Sequence, residues 1–158
     1  MGLFSKKSQP LNLPPDDQQR WSIAQADDGG NPLIVRFNET ARDWIGHDGL
    51  SMRLGFAAPL NRPVEGGLPD AAENAELLEA EDVILSVVLP EVKGLHVLTL
   101  TDGQMKEWVF YIAPGADVPQ LHAEIRSRVK THDIQCMAVK DPQWESYRQF
   151  VPPQEADA

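Results

Sequence analysis

Hydrophobic and polar residues alternate with a period of two in several short stretches of the chain, which is typical of half-buried strands. The run "LSMRLGFA" shows this pattern clearly, because Met52, Leu54 and Phe56 alternate with polar or small residues. Two pairs of β-favouring runs flank turn sequences: "WSIAQAD" and "PLIVRFN" flank "DGGN", and "GLHVLTLT" and "KEWVFYI" flank "DGQM". Each pair predicts a hairpin. "IQCMAVK" predicts a sixth strand.

The pattern changes to a helical period in "LPDAAENAELLEAEDVILSVVLP". Asp70 and Glu73 form a capping-box arrangement at its start, and Pro90 ends it. The predicted buried stripe consists of Leu77, Ala80, Ile84 and Val87. A second helix is predicted in "DVPQLHAEIRSRVKTH", and a short terminal helix is predicted in "DPQWESYRQF", which begins with an Asp-Pro pair suited to a helix start.

These elements predict an α+β fold made of strand, strand, strand, helix, strand, strand, helix, strand and a terminal helix. The third to eighth elements follow the split βαβ pattern, so we expect a ferredoxin-like sandwich with an extra N-terminal β-hairpin and a short C-terminal helix. Proline and polar residues near both ends predict flexible tails at residues 1–18 and 151–158, around a single domain at residues 19–150.

Charge and composition narrow the classes of function. The chain has 158 residues, 14 of them Lys or Arg and 24 of them Asp or Glu, which gives a net charge of −10. This charge disfavours nucleic acid and anionic membrane surfaces as partners. The sequence contains neither a long apolar run nor the apolar core of a secretory signal, so we expect a cytoplasmic location.

Alternation along the strands predicts a candidate binding face. On the fifth strand, Trp108, Phe110 and Ile112 are expected to face the core, while Glu107 and Tyr111 point the other way. If the third and fifth strands are neighbours, Arg53 lies on the same open face. The predicted binding face consists of Arg36, Asn38, Arg53, Glu107 and Tyr111. The alternative interpretation of this face is an exposed ion pair on a solvated sheet.

Two further surfaces are candidates for contact with a protein partner. Glu73, Glu76 and Glu79 recur every three residues on the first helix and predict an acidic docking face, unless they are only a solvated helix surface. Trp144 and Tyr147, three residues apart on the terminal helix, are a candidate aromatic anchor. The alternative is that both rings fix this helix to the domain.

Known catalytic and metal-binding patterns are missing from the sequence. The four histidines form no HExxH pattern, the single Cys136 lies in an apolar run, and no nucleophile elbow or phosphate loop is present. We therefore expect no metal, no cofactor and no assigned catalytic residue.

The stretch "GQMKEWVFY" resembles the glycine, basic, acidic, aromatic and tyrosine signature of the bacterial family known as domain of unknown function 695. "WSIAQADDGGNPLIVRFN", "LLEAEDVI" and "DPQWESYRQF" support the resemblance, which covers about residues 20–150. Lys106 stands where that signature has Arg and cannot make a bidentate guanidinium contact. The resemblance implies a bacterial cytosolic protein without an assigned reaction. It also implies an association with domains similar to acidic regulators of ribonuclease E.

Two hypotheses follow. The first is a non-enzymatic protein-binding or regulatory module that presents an acidic helix face or an open sheet face to another cytosolic protein. The second is a small-ligand binding protein or hydrolase that uses a pocket on the open sheet face. Homodimerisation through that face is compatible with either hypothesis.

Overall fold

The computed structural model describes residues 10–153, which form an antiparallel sheet with helices packed on both of its faces. The strands are β1 (Trp21–Asp28), β2 (Asn31–Asn38), β3 (Met52–Pro59), β4 (Gly94–Thr101), β5 (Met105–Ile112) and β6 (Gln135–Lys140). The helices are α1 (Ala71–Val88), α2 (Val118–Arg128) and α3 (Glu145–Phe150), and a 3₁₀ helix at Glu39–Trp44 follows β2. The predicted α+β class and all six predicted strands are confirmed.

The strands lie in the order β1-β2-β4-β5-β3-β6, and each neighbouring pair is antiparallel. As predicted, β3 and β5 are central neighbours, with Leu54 opposite Phe110. The N-terminal hairpin joins the sheet through β2, where Arg36 lies opposite Thr99 of β4. The hairpin therefore extends the sheet beyond β4 and places β1 at one edge and β6 at the other.

Turn chemistry explains both predicted hairpins. Gly29 and Gly30 connect β1 to β2 with φ angles of 61° and 91°, the left-handed region that glycine adopts without a steric penalty. In the β4–β5 turn, the Oδ1 of Asp102 accepts hydrogen bonds from the backbone N–H groups of Gln104 and Met105 at 2.8 and 2.9 Å. The two glycines fix the first turn and the Asp102 hydrogen bonds fix the second, and each turn sets the pairing of the strands it joins.

The two longer helices cover one face of the sheet, here called the helix face. The predicted stripes of both helices are buried: Leu77, Ala80, Ile84 and Val87 of α1, and Leu121 and Ile125 of α2 with Val129 just after it. They pack on Leu54 and Phe56 of β3 and on Trp108, Phe110 and Ile112 of β5. The helix-face core therefore occupies the β3–β5 half of the sheet.

A second core lies on the opposite face and joins β2, β4 and β5 to α3. It includes Val35, Phe37, Leu95, Val97, Leu98, Val109, Tyr111, Trp144 and Tyr147. The α3 helix begins at Glu145, three residues later than the start at Pro142 that "DPQWESYRQF" predicts, because Trp144 adopts a left-handed conformation with φ of 56°. Asp141 still contributes to the helix start, since its carboxylate accepts hydrogen bonds from the backbone N–H groups of Glu145 and Ser146.

Strand β4 contains an irregularity between His96 and Leu98, where the register with β5 shifts by one residue. Val97 and Leu98 both pack into the second core, while His96 and Thr99 face α1. Such a bulge lets one strand hold an extra residue without losing the pairing on either side. It decides which polar residues of β4 reach the helix face.

Residues 10–18 fall within the segment predicted as an N-terminal tail. Leu11 and Leu13 pack against the second core, and Asp16–Gln18 form a short 3₁₀ helix. Residues 1–9 and 154–158 of the two predicted tails lie outside the described residues. Among the helices of residues 10–153, none has the length and apolar character needed to cross a membrane.

Candidate functional site

Neither core covers the whole of its face of the sheet, so a part of each face is left open. We call these two uncovered parts the helix-face opening and the β3–β6 opening. On the helix face, β1 and β2 extend past α1, and on the opposite face the β3–β6 end extends past α3. Four large apolar side chains of the described chain are exposed: Trp21 (37%), Ile23 (71%), Leu78 (44%) and Met137 (60%). The first three lie at the helix-face opening, and Met137 lies at the other opening.

The helix-face opening is a groove between α1 and the strands β1, β2 and β4, which we call the α1–hairpin groove. It consists of two cavities, of about 300 and about 400 Å³, which share Arg36 as a lining residue. The walls of the first cavity are Ile34, Arg36, Leu68, Pro69, Asn74, Leu78, Thr99, Thr101 and Lys106. The walls of the second are Asp16, Gln19, Trp21, Ile23, Arg36, Leu85, Leu89 and His96. Arg36 is therefore the residue around which the groove is organised.

Glu81 of α1 anchors a polar cluster at the floor of this groove. Its carboxylate oxygens each accept a hydrogen bond from Nη2 of Arg36 at 3.1 Å, and Oε1 also accepts one from Nε1 of Trp108 at 2.9 Å. Nζ of Lys106 lies 3.6 Å from Oε1. Nη2 of Arg36 also donates to Oγ1 of Thr99 at 3.3 Å. One helical carboxylate thus holds side chains from β2 and β5.

The protonation states in this cluster follow from burial and from the neighbouring charges. Burial disfavours the charged form of Glu81, but Arg36, the Trp108 hydrogen bond and Lys106 outweigh it, so the pKa of Glu81 lies below its ordinary value. Burial lowers the pKa of Lys106, against the opposing effect of Glu81. With both groups charged, the three ionic side chains carry two positive charges and one negative charge.

His96 borders the second cavity and is held between two aromatic rings. Its ring centroid lies 4.8 Å from that of Trp21 and 4.8 Å from that of Phe110. Its Nε2 is 3.1 Å from the carbonyl oxygen of Leu98 and 3.2 Å from Oγ1 of Thr99. Burial lowers the pKa of His96 to about 4, in spite of the opposing charge of Glu81. The ring is therefore neutral near pH 7.

The five residues of the predicted binding face do not lie together, and this prediction is wrong in its geometry. Arg36 and Asn38 point to the helix face, where Arg36 contacts Glu81 and Nδ2 of Asn38 donates to the carbonyl oxygen of His96 at 3.0 Å. The reason is the pairing of β2 with β4, which places Val35 and Phe37 in the second core and the alternate residues on the other side. Tyr111 points away from α1 and α2, as predicted, but is fully buried.

Arg53 and Glu107 do share a face, as predicted. They line a cavity of about 180 Å³ at the β3–β6 opening, together with Gly55, Phe56, Ala57, Gln135, Cys136 and Met137. Burial raises the pKa of Glu107, and the positive charge of Arg53 opposes that effect. Burial also raises the pKa of the Cys136 thiol to about 11, so little thiolate forms near neutral pH.

Of the three residues of the predicted acidic docking face, two are accessible to a partner and one is buried. Glu73 is fully buried, because its carboxylate accepts hydrogen bonds from the backbone N–H groups of Asn61 and Arg62 at 2.6 and 2.9 Å. Its Oε2 also lies 2.6 Å from Nε2 of His132. Glu76 is partly exposed and pairs with Arg62 at 3.5 Å, while Glu79 is exposed.

The predicted aromatic anchor is wrong, because Trp144 and Tyr147 are 0% and 1% exposed. Trp144 stacks on Tyr111 with ring centroids 4.2 Å apart, and its Nε1 donates to the carbonyl oxygen of Leu50 at 2.9 Å. The hydroxyl of Tyr147 donates to the carbonyl oxygen of Asn38 at 2.6 Å. Both rings fix the terminal helix to the second core, which was the alternative interpretation.

Sequence reasoning missed Glu81, Thr99 and Lys106 as members of a site. A signal was nevertheless present, because three of the quoted motifs meet here: Arg36 comes from "PLIVRFN", Glu81 from "LLEAEDVI" and Lys106 from "GQMKEWVFY". Within residues 10–153, no group of three or more His, Cys, Asp or Glu residues is arranged to hold a metal ion.

The fold and the groove define an α+β protein whose sheet extends beyond its helical layer and forms one wall of an open groove with a charged floor. The model of a family of unknown function (DUF695) matches residues 19–151. The chain belongs to this family, as the resemblance in its motifs predicted. No curated protein and no solved structure matches the chain significantly.

Proposed function

We propose that the protein is a non-enzymatic protein-binding module and that the α1–hairpin groove receives its partner. One observation carries the proposal: three of the four large apolar side chains exposed within residues 10–153 line this one groove. Clustered exposed apolar residues, rimmed by polar ones, are typical of surfaces that bind other proteins. The partner we propose is another cytosolic protein.

The shape of the groove supports a segment of polypeptide as the occupant. The two cavities lie on either side of Arg36 and together extend along α1 from Asn74 to Leu89. Leu78 lines the first cavity, and Ile23, which is 71% exposed on the edge strand β1, lines the second, so only an occupant that spans both cavities buries both apolar side chains.

The acidic face of α1 has a secondary role in this proposal. Glu79 and Asp82 are exposed on the same helix that forms one wall of the groove. Charges at the rim of an interface mainly affect the rate of association and the choice of partner. We propose that these carboxylates favour partners with basic residues outside the segment that enters the groove.

We further propose that the part of the sheet ordered β4-β5-β3-β6, with α1 and α2 on one face, is a ferredoxin-like sandwich and that the N-terminal hairpin is an addition to it. The order of elements from β3 to β6 supports this proposal, because it follows the split βαβ pattern. In this view the groove is a feature of the addition, since β1 and β2 supply one of its walls.

The experiment is a crosslinked pulldown from native lysate with purified wild-type protein and the Ile23→Asp variant. Ile23 is largely exposed, so the substitution should leave the fold intact, which circular dichroism checks. Met137→Asp is the matched control, because Met137 is similarly exposed at the other opening. We expect a partner that is retained by Met137→Asp and lost with Ile23→Asp.

Three outcomes have distinct meanings. Loss of the partner only with Met137→Asp would move the binding surface to the β3–β6 opening and overturn the proposal. Equal retention by all three proteins would also overturn it. Light scattering on the purified protein shows whether the partner is a second copy of the chain, in which case Ile23→Asp should convert a dimer into a monomer.

A further inference from the structure

The floor of the α1–hairpin groove carries more positive than negative charge, although the whole chain has a net charge of −10. Arg36 and Lys106 both pair with Glu81, so two cations share one carboxylate. Both cations line the first cavity. This excess of positive charge lies at the first cavity, since Asp16 adds a carboxylate to the second, and it favours an anionic group in a ligand that enters the first cavity.

The guanidinium of Arg36 also has hydrogen-bond donors that suit an anionic ligand. Its bonds to Glu81 and Thr99 all run through Nη2. A guanidinium has five N–H donors on three nitrogens and matches the two oxygens of a carboxylate. The side chain is 30% exposed, so a group that enters the groove can reach it.

Lys106 supplies an independent observation. Only 4% of the residue is exposed, yet it lines the cavity. Its Nζ lies 3.6 Å from Oε1 of Glu81, which is longer than a normal hydrogen bond, and an ammonium has three donors to satisfy. Its Nζ also lies 5.7 Å from the centroid of the Trp108 ring, and an oxygen from a ligand in the cavity would add an acceptor to these two contacts.

We propose that the groove recognises a polypeptide segment in which an Asp or Glu side chain is flanked on both sides by apolar residues. The carboxylate binds Arg36 and Lys106, and the apolar residues occupy the two cavities beside Ile34 and Leu78 and beside Trp21 and Ile23. With this carboxylate bound, the positive charges of Arg36 and Lys106 are balanced by the negative charges of Glu81 and the ligand. The inference rests on the proposed function and names the chemistry of its partner.

The test is a display selection of random twelve-residue peptides against the full wild-type chain. We expect the enriched peptides to share one acidic residue between apolar residues, and to lose binding when Ile23→Asp is used as the target. The best peptide is then synthesised with its Asp or Glu and with the corresponding Asn or Gln, and both affinities are measured by fluorescence anisotropy. The amide peptide should bind roughly tenfold more weakly, as expected for loss of a charge-assisted hydrogen bond.

Variants of the protein identify the side chains that bind the peptide carboxylate. Arg36→Gln should weaken the acidic peptide roughly tenfold and leave the amide peptide nearly unchanged. Arg53→Gln is the matched control, because this arginine lies on the opposite face, and it should leave both affinities unchanged. Glu81→Gln keeps an oxygen for the Trp108 N–H and removes the internal carboxylate, so it should strengthen binding of the acidic peptide. This second variant tests the inference even if Arg36→Gln does not fold.

The possible failures are distinguishable. If no enriched peptide depends on Ile23, both the proposed function and this inference are overturned. If apolar peptides bind in an Ile23-dependent manner without an acidic preference, the inference alone is overturned. Equal weakening of the acidic and amide peptides by Arg36→Gln would also overturn it, because the arginine would then act through packing alone.

Discussion

The carboxylate of Glu73 and the imidazole of His132 are joined by a 2.6 Å contact between Oε2 and Nε2, and both side chains are fully buried. The same carboxylate accepts hydrogen bonds from the backbone N–H groups of Asn61 and Arg62, in the loop after β3. The contact therefore ties the first turn of α1 to two segments that are distant in sequence, the loop after β3 and the loop after α2.

The first prediction concerns the stability of the protein in acid. Burial opposes ionisation of Glu73, but the bonds from His132, Asn61 and Arg62 outweigh it and hold the pKa of this carboxyl below its ordinary value of 4.5. A group whose pKa is lower in the folded state stabilises the fold above its unfolded pKa, and this contribution is lost as the pH falls through the folded pKa. The unfolding free energy should therefore decrease as the pH falls below about 4.5.

The measurement is urea denaturation at several pH values between about 6 and about 3, for the wild type and for Glu73→Gln. The variant should be less stable near neutral pH by about 1–3 kcal/mol and should lose less stability on acidification. Glu124→Gln is the control, because the Glu124 side chain is 40% exposed and pairs with Arg128. An identical acid dependence in the wild type and Glu73→Gln would contradict the prediction.

The second prediction concerns the hydroxyl of Tyr111, which donates a 2.6 Å hydrogen bond to Oδ2 of Asp141. Tyr111→Phe keeps the ring stacked on Trp144 but leaves the carboxylate without this donor. We expect a loss of about 1–3 kcal/mol in the free energy of unfolding, measured by chemical denaturation. The double variant with Asp141→Asn should cost less than the sum of the single variants, and simple additivity would show that the bond contributes little.

The third prediction concerns Gly103 in the β4–β5 turn. A Cβ at this position would lie 2.0 Å from the carbonyl oxygen of Val64, in a loop whose backbone N–H donates to Gly103. Gly103→Ala should therefore reduce stability by about 1–3 kcal/mol, as overpacking does. Gly55→Ala is the control, since a Cβ there would meet its nearest neighbours at 3.9 Å and should be tolerated. Equal melting temperatures for the two variants would contradict the prediction.

The fourth prediction concerns the protonation of His96. Because burial lowers its pKa to about 4, the ring should stay neutral on acidification until the pH approaches that value. The unfolded chain binds a proton at this histidine near pH 6.5, so the fold loses stability between about 6.5 and about 4 as the pH falls. Nitrogen chemical shifts of the ring, followed by NMR over this range, measure the pKa directly. Titration near 6.5 in the folded protein would contradict the prediction.

Local patterns predicted the elements, and the order of the elements predicted that β3 and β5 are neighbours, but neither predicted how the N-terminal hairpin joins the sheet. The helical stripe from Leu77 to Val87 and the alternation around Trp108 depend on spacing along one element, and the structure confirms both. The side of the sheet on which Arg36 lies depends on how β2 pairs with β4, residues that are far apart in the sequence. The alternation of residues along β2 alone does not show on which side of the sheet Arg36 lies.

The errors at Glu73 and Trp144 have a similar cause. Charge alone predicts exposure for Glu73, but two backbone N–H groups and His132 arrive from other segments and make burial favourable. The anchor predicted at Trp144 rested on its spacing of three residues from Tyr147, whereas the ring enters the second core beside Tyr111. In both cases the deciding partners lie elsewhere in the chain.

The bulge in β4 makes the number of residues in this strand as important as their identity. His96 and Thr99 are three positions apart and share the helix face, which strict alternation forbids. Removing Val97 would restore regular alternation and keep both His96 and Thr99 on the helix face, but the second core would lose one of the two adjacent side chains that β4 contributes at the bulge. We therefore expect a sequence that forms this groove to keep its groove residues in place when the extra residue at the bulge is lost, whereas a deletion elsewhere in β4 would turn part of the strand to the wrong face.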